Sequence, residues 1–184
     1  ELLYNIRNTF TNYKLLEGID YSEELIKKAK KDTNLKDIYF SVGDAEKFTL
    51  DKEFDFIVSV GVVGYFDCLK PIFTCINKHL KKHGKAFILH LFNKENVDVL
   101  IRYRKNPNFT DFQPGWNHHS LQTAKIDAES VGLKFCEAHK FNLSFVDAKK
   151  EDPTRSWTTY INGKQKFMNG LGLIYDLYCL EIEK

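Results

Sequence analysis

Four things are scarce in this chain of 184 residues, and each absence narrows what it can be. No run approaches 18 consecutive apolar residues, so no membrane-spanning helix is expected. None of the four cysteines, Cys68, Cys75, Cys136 and Cys179, forms a C-x-x-C pair. A disulfide framework is therefore not expected, and a reducing cytoplasm is the default compartment. Cys68 and Cys75 read as core thiols two helical turns apart. Charge of one sign is also lacking: 27 basic residues face 25 acidic ones, for a net +2. So balanced a chain is not marked for nucleic acid. Arginine occurs only as Arg7, Arg102, Arg104 and Arg155. A starting methionine is missing as well; residue 1 is Glu and the single Met is Met168. The expectation is a chain that starts inside a longer gene product, with no secretory signal.

What is present alternates. Residues 2–10 read as helix and Lys14–Asp20 as a strand. Ser22 is an N-cap, and Glu23 and Glu24 suit the positive end of a helix to Lys31. Its Lys27-Lys28-Ala29-Lys30-Lys31 run reads as a solvated face. Asp37–Val42 reads as a strand, and Phe54–Val60 as a near-continuous apolar one with both faces covered. Asp67–Lys82 reads as a helix, with Pro71 in its first turn and Gly84 past its end. Lys85–Phe92 is another strand. Strand–helix alternation of this kind predicts a parallel sheet with right-handed crossovers. Beyond it, Lys94–Lys105 reads as helix and Asn106–His119 as a loop. A helix runs from Ser120 to Val131 and stops at Gly132. Two strands, Leu133–Leu143 and Leu171–Glu183, flank an irregular segment from Val146 to Gly170. The fold class is therefore α/β: a doubly wound, mostly parallel sheet with an antiparallel C-terminal edge hairpin, in one domain.

Two acids stand at strand ends. Asp20 closes Leu15-Leu16-Glu17-Gly18-Ile19-Asp20 just before a helix, where a carboxylate can accept both ribose hydroxyls of a nucleoside. Asp44 follows Ile38–Gly43 in the same way. Together they suggest a nucleoside crevice; separately each is an ordinary turn acid.

Several segments resemble the class I S-adenosylmethionine-dependent methyltransferases. Gly18-Ile19-Asp20-Tyr21-Ser22 is similar to that family's second strand and following turn, and Val42-Gly43-Asp44-Ala45-Glu46 to its acid after strand three. Phe54–Gly61 is similar to strand four, Leu80–Ile88 to the helix–Gly–strand-five join, and Ser120–Phe135 to the helix before strand six. The family's first strand and Gly-rich loop have no counterpart, and Glu1-Leu2-Leu3 resembles the helix after that loop. The resemblance thus implies a chain that extends further at its N-terminus. Without that strand, two inner strands would have unpaired edges.

The resemblance implies S-adenosylmethionine as cofactor; with no basic groove or base-methylating motif in view, a small-molecule acceptor is expected rather than nucleic acid, with no membrane partner, and the Lys, Asn, Ile and Phe usage is bacterial in style. Asp20 would take the ribose hydroxyls, and Tyr21 would pack on the adenine or ribose. Asp44 would accept from the adenine amino group, the Ala45 N–H would meet a ring nitrogen, and Val60 and Gly61 would line the cofactor through their backbones. Glu46 caps a turn. For the reacting end the candidates are Tyr65, His118 and His119, since imidazole suits proton removal near neutral pH; the alternative for each histidine is a helix cap or a surface position. His90 reads as a satisfied core histidine, and Arg102, Tyr103 and Arg104 as a solvated helix face. Phe109–Trp116 and Trp157–Met168 form a candidate lid. His79 and His83, at i and i+4, could supply half a metal site but lack a third ligand, so no metal is expected.

Two other functions compete. A nicotinamide dehydrogenase would also carry an acid after its second strand, and Tyr160-Ile161-Asn162-Gly163-Lys164 has the Tyr-x-x-x-Lys spacing. Asn162-Gly163 reads as a turn, however, which would keep Tyr and Lys off one helix face. A non-catalytic module with the same fold is the third reading.

Overall fold

The computed structural model describes residues 1–108 and 110–184. The chain divides into two compact units, Glu1–Leu50 and Asp51–Lys184.

In the first unit, helix α1 (Leu2–Thr9) precedes strand β1 (Glu17–Asp20), helix α2 (Glu23–Lys31) and strand β2 (Tyr39–Val42). β1 and β2 pair in parallel from Glu17↔Tyr39 to Asp20↔Val42. The α2 N-terminus forms as expected, with Ser22 Oγ accepting from the Leu25 N–H. Acids in its first turn and lysines in its last complement the helix dipole. Burial of Ile26 and Ile38 supplies the apolar contact between helix and ribbon.

The second unit opens with β3 (Phe54–Val60), α3 (Lys70–His79) and β4 (Leu80–Asn93), then the short strands β5 (Arg102–Tyr103), β6 (Gln113–Pro114) and β7 (His119–Ser120). Helix α4 (Leu121–Ser130), β8 (Lys134–Phe141), β9 (Trp157–Ile161), β10 (Lys164–Met168), β11 (Ile174–Tyr175) and β12 (Leu177–Glu183) complete it. The main sheet runs β3-β4-β12-β8, with β7 beside the end of β4. β3 and β7 are parallel to β4, while β12 is antiparallel to both β4 and β8. This is the expected α/β sheet with its antiparallel C-terminal edge. Alternation places Ala86, Ile88, Leu180 and Ile182 on one face, fully buried. Leu69, Ile72, Phe73 and Ile76 on and before α3, and Ala124 and Ala128 of α4, are buried with them.

Four expectations are corrected. Lys94–Lys105 is not a helix; local and tertiary partners take its backbone. Asn93 Oδ1 accepts from the Glu95 N–H, Asn117 Oδ1 accepts from the Ile101 N–H, and Val99 bridges His118. The segment from Val146 to Gly170 is not irregular throughout but holds the β9–β10 hairpin. β3 is not covered on both faces: Phe56, Val58 and Val60 are 65%, 42% and 49% exposed. Among the described residues, β3 pairs only with β4 and β1 only with β2, so each keeps an open edge. Finally, His79 and His83 do not share a helix. α3 ends at His79, whose Nδ1–H donates to Cys75 O, and His83 lies in β4.

Candidate cofactor and acceptor site

The first unit brings the two strand-end acids to one edge. Asp20 is the register partner of Val42, and the Gly43 N–H extends the ladder to Asp20 O at 3.0 Å. Asp44 therefore stands two residues beyond the partner of Asp20, at the carboxyl ends of neighbouring parallel strands. Each acid is oriented by its own turn. Asp20 Oδ1 accepts the Ser22 N–H at 2.7 Å, and Asp44 Oδ1 accepts the Glu46 N–H at 3.0 Å. That leaves Asp20 Oδ2 for a ligand, while Asp44 Oδ2 lies 3.9 Å from Lys47 Nζ. Tyr21 is 81% exposed and Ala45 half-buried. A ribose needs a carboxylate acceptor on a rigid strand end, and an adenine needs an acceptor beside a backbone N–H. The residues present fit both demands.

In the second unit, Val60 ends β3 and Gly61 follows at φ +71°, a conformation glycine adopts without strain. The Gly61 N–H still donates to Leu89 O, so this turn is fixed to the carboxyl end of the sheet. Gly64 meets a steric demand instead. A Cβ there would lie 1.9 Å from His90 Nε2.

His90, in β4, is buried, and its Nε2 has no hydrogen-bond partner among the described residues. Burial, and then the fields of His118 and His119, lower its pKa to about 3. His118 is lowered to about 4 by burial and by His119. Both rings are neutral at pH 7. His119 is 1% exposed and its Nε2–H donates to Phe66 O, so its imidazole holds the loop after β3 in place.

Tyr65 is 48% exposed, and its ring lies 6.2 Å from Trp116. Tyr103 meets Trp116 edge-on at 5.6 Å. Burial raises the pKa of Tyr65. Trp116 adopts φ +55°, the left-handed region that bulky residues avoid. Tyr175, in the cluster it packs on, meets Ser156 Oγ through its hydroxyl. Trp116 packs on a cluster of Leu91, Phe167 and Tyr175, which places it and the β9–β10 hairpin over the end of β4. Trp116 and Phe167, one from each candidate lid segment, thus meet here, while Phe109 lies outside the described residues. Arg102 pairs with Asp67 rather than facing solvent from a helix.

A cavity of about 150 Å³ opens beside this cluster, lined by Phe92, Asn93, His118, Lys166, Tyr175 and Asp176 among others. Lys166 and Tyr175 were not singled out in the sequence. Lys166 lies in the stretch read as irregular, where only Asn162-Gly163 marked the hairpin that positions it, and Tyr175 lies in the strand expected over Leu171–Glu183.

Residues 5–88 match a family model described as a methyltransferase domain. A malonyl-[acyl-carrier protein] O-methyltransferase from Bacillus anthracis is 24% identical over 146 residues, covering 79% of this chain and 49% of that protein. The chain thus spans about half the length of that curated relative. A glycopeptide N-methyltransferase in complex with S-adenosylmethionine superposes with a TM-score of 0.63 at 11% identity, covering 98% of this chain and 81% of the other. An S-adenosylmethionine-dependent methyltransferase from Clostridium acetobutylicum gives 0.60 at 12% identity, covering 97% and 78%. The chain has the fold of the class I S-adenosylmethionine-dependent methyltransferases. Asp20 and Asp44 stand at two consecutive strand ends of that fold. Both of those solved structures are named for S-adenosylmethionine. The rival dehydrogenase motif dissolves: Tyr160 lies in β9 opposite Gln165, and Lys164 lies across the turn in β10, so they share no helix face. Among the described residues no helix is long and apolar enough to cross a membrane.

Proposed function

We propose that this chain binds S-adenosylmethionine, with Asp20, Tyr21, Asp44 and Ala45 as its adenosine contacts, and transfers its methyl group to a small-molecule acceptor. The observation that carries the reading is the pair of turn-locked carboxylates at adjacent parallel strand ends. The match to residues 5–88 crosses Leu50, which supports reading the chain as one methyltransferase domain. S-adenosylmethionine supplies a methyl group on a positively charged sulfur that departs as a neutral thioether. The protein's work is to align the acceptor, exclude water and take a proton where the acceptor has one to lose. His118 stays unprotonated at neutral pH and lines the cavity. His119 is a positioning residue, committed to Phe66 O.

Calorimetric titration with S-adenosylmethionine, with NAD as the comparison ligand, tests the proposal. Removing a charge-assisted hydrogen bond costs about 1.5–3 kcal/mol, so Asp20→Ala or Asp44→Ala should weaken S-adenosylmethionine roughly tenfold or more. Unchanged affinity in both variants, or binding of NAD alone, refutes it.

A further inference from the structure

The cavity beyond β4 has more positive charge in its wall than its own anions balance. Asp176 receives two lysines: Lys166 Nζ at 2.6 Å and Lys140 Nζ at 2.9 Å. The three side chains are 15%, 27% and 38% exposed for Asp176, Lys166 and Lys140, so water screens them only in part. Burial raises the Asp176 pKa, but hydrogen bonds from Lys166 and Lys140 lower it further, and the carboxyl is ionised. One carboxylate between two ammonium groups leaves one positive charge uncompensated. Lys94, also in the wall, pairs among the described residues only with exposed Glu95 at 3.4 Å, a contact worth little. His118 adds a buried Nε2 that has no partner among the described residues. Its ring is edge-on to Tyr175 at 5.7 Å, which fixes its orientation. A buried polar atom without a partner is costly, and a ligand would relieve it.

We propose that this cavity is the subsite for a carboxylate of the acceptor, with Lys166 Nζ and His118 Nε2–H as its donors. The proposal rests on the methyl-transfer reading and adds the charge class of the acceptor. A second carboxylate restores a two-to-two balance with Lys140 and Lys166. It also accepts from His118, which as a neutral imidazole carrying its proton on Nε2 donates without needing to be charged. The volume, about 150 Å³, is that of a space that accepts a six-carbon ring, so a short carboxylic acid fits. Phe92 and Tyr175 supply apolar wall for its carbon stem. The cavity lies at the end of β4 that carries Phe92 and Asn93, and β4 runs parallel to β3, so it opens at the same rim as Val60 and Gly61. Ligands of open α/β sheets sit at that rim.

Malonate is the probe, titrated into the full chain by calorimetry at neutral pH, with its uncharged diamide and inorganic phosphate as comparison ligands. Malonate is expected to bind. The diamide should bind roughly tenfold or more weakly, the worth of one charge-assisted hydrogen bond, and Lys166→Met should lose as much. Lys166→Arg keeps the charge and should restore most of the affinity. His118→Phe keeps the ring packed on Tyr175 but removes the donor, and should weaken malonate several-fold. Equal binding of the diamide, equal or tighter binding of phosphate, or malonate affinity indifferent to Lys166→Met and His118→Phe overturns the assignment. S-adenosylmethionine is titrated into the same samples. If it binds normally and malonate does not, the subsite fails alone; if it does not bind, the methyltransferase reading fails whatever malonate does.

Discussion

Gly64→Ala puts one methyl group against an immobile ring. The new Cβ would lie 1.9 Å from His90 Nε2, 2.7 Å from Cε1 and 3.0 Å from Cδ2. A flexible surface side chain would swing aside, but His90 is 7% exposed, stands in the centre of the sheet and meets Phe92 edge-on at 6.3 Å. The other side has no slack: Gly64 is buried, and its carbonyl accepts the Asn117 N–H at 3.0 Å. Overpacking of this kind costs about 1–3 kcal/mol, and a contact this short belongs near the upper end. For a chain of this size that lowers Tm by roughly 4–10 °C. Urea denaturation of Gly64→Ala, His90→Ala and the double variant measures it. Because the clash needs both side chains, the double variant should be less destabilised than the sum of the singles by about 1 kcal/mol or more. A Gly64→Ala protein within about 0.5 kcal/mol of the parent, or a strictly additive cycle, refutes the claim that these two residues are fitted to each other.

Acid should weaken the fold before the carboxylates titrate. His90 and His118 bind protons less readily in the native state, at about 3 and about 4, than at the ordinary 6.5 of an unfolded chain. Stability is then whole above pH 6.5 and falls as pH drops below it, by about 1.4 kcal/mol per pH unit for each histidine, until the native pKa is reached. Urea midpoints at pH 7.5, 6 and 5 should show this slope, and His118→Phe should reduce it by about half; a flat profile contradicts it. Ser120→Ala removes the acceptor of the Thr123 N–H at the start of α4 and should cost about 1 kcal/mol, read as a Tm fall of a few degrees. Asp98, which accepts from both Ser120 N–H and Thr123 Oγ1–H, should hold the helix start in that variant, so complete unfolding would be unexpected.

The sheet was legible because its strands carry their own signals. Ser22, Ser120 and Gly132 marked helix ends by local hydrogen bonding and backbone freedom, and Phe54–Val60 declared itself by its run of apolar residues. Asp20 and Asp44 could be found because position after a strand is a sequence property. The surroundings of the cavity were not legible for the opposite reason. Lys166 meets Asp176 across the β10–β11 turn region, Asn117 meets Phe66, Asp67 and Ile101, and His90 meets Gly64, all through tertiary folding. Lys94–Lys105 misled because its composition suits a helix while its hydrogen bonds go to Asn93 and the 117–118 segment. Nothing local distinguishes His119, a buried rivet to Phe66, from His118, which lines the cavity.

Asn117 is a joint with every valence spoken for. Its carboxamide oxygen takes the Ile101 amide, its two amino hydrogens go to Phe66 O and Asp67 Oδ1, and it is wholly buried. Deamidation in an ageing sample would exchange both hydrogens for an oxygen aimed at two acceptors, one of them already anionic. Three stretches far apart in the chain would lose their shared tie at a single stroke. The loops around the cavity should therefore loosen together rather than one at a time.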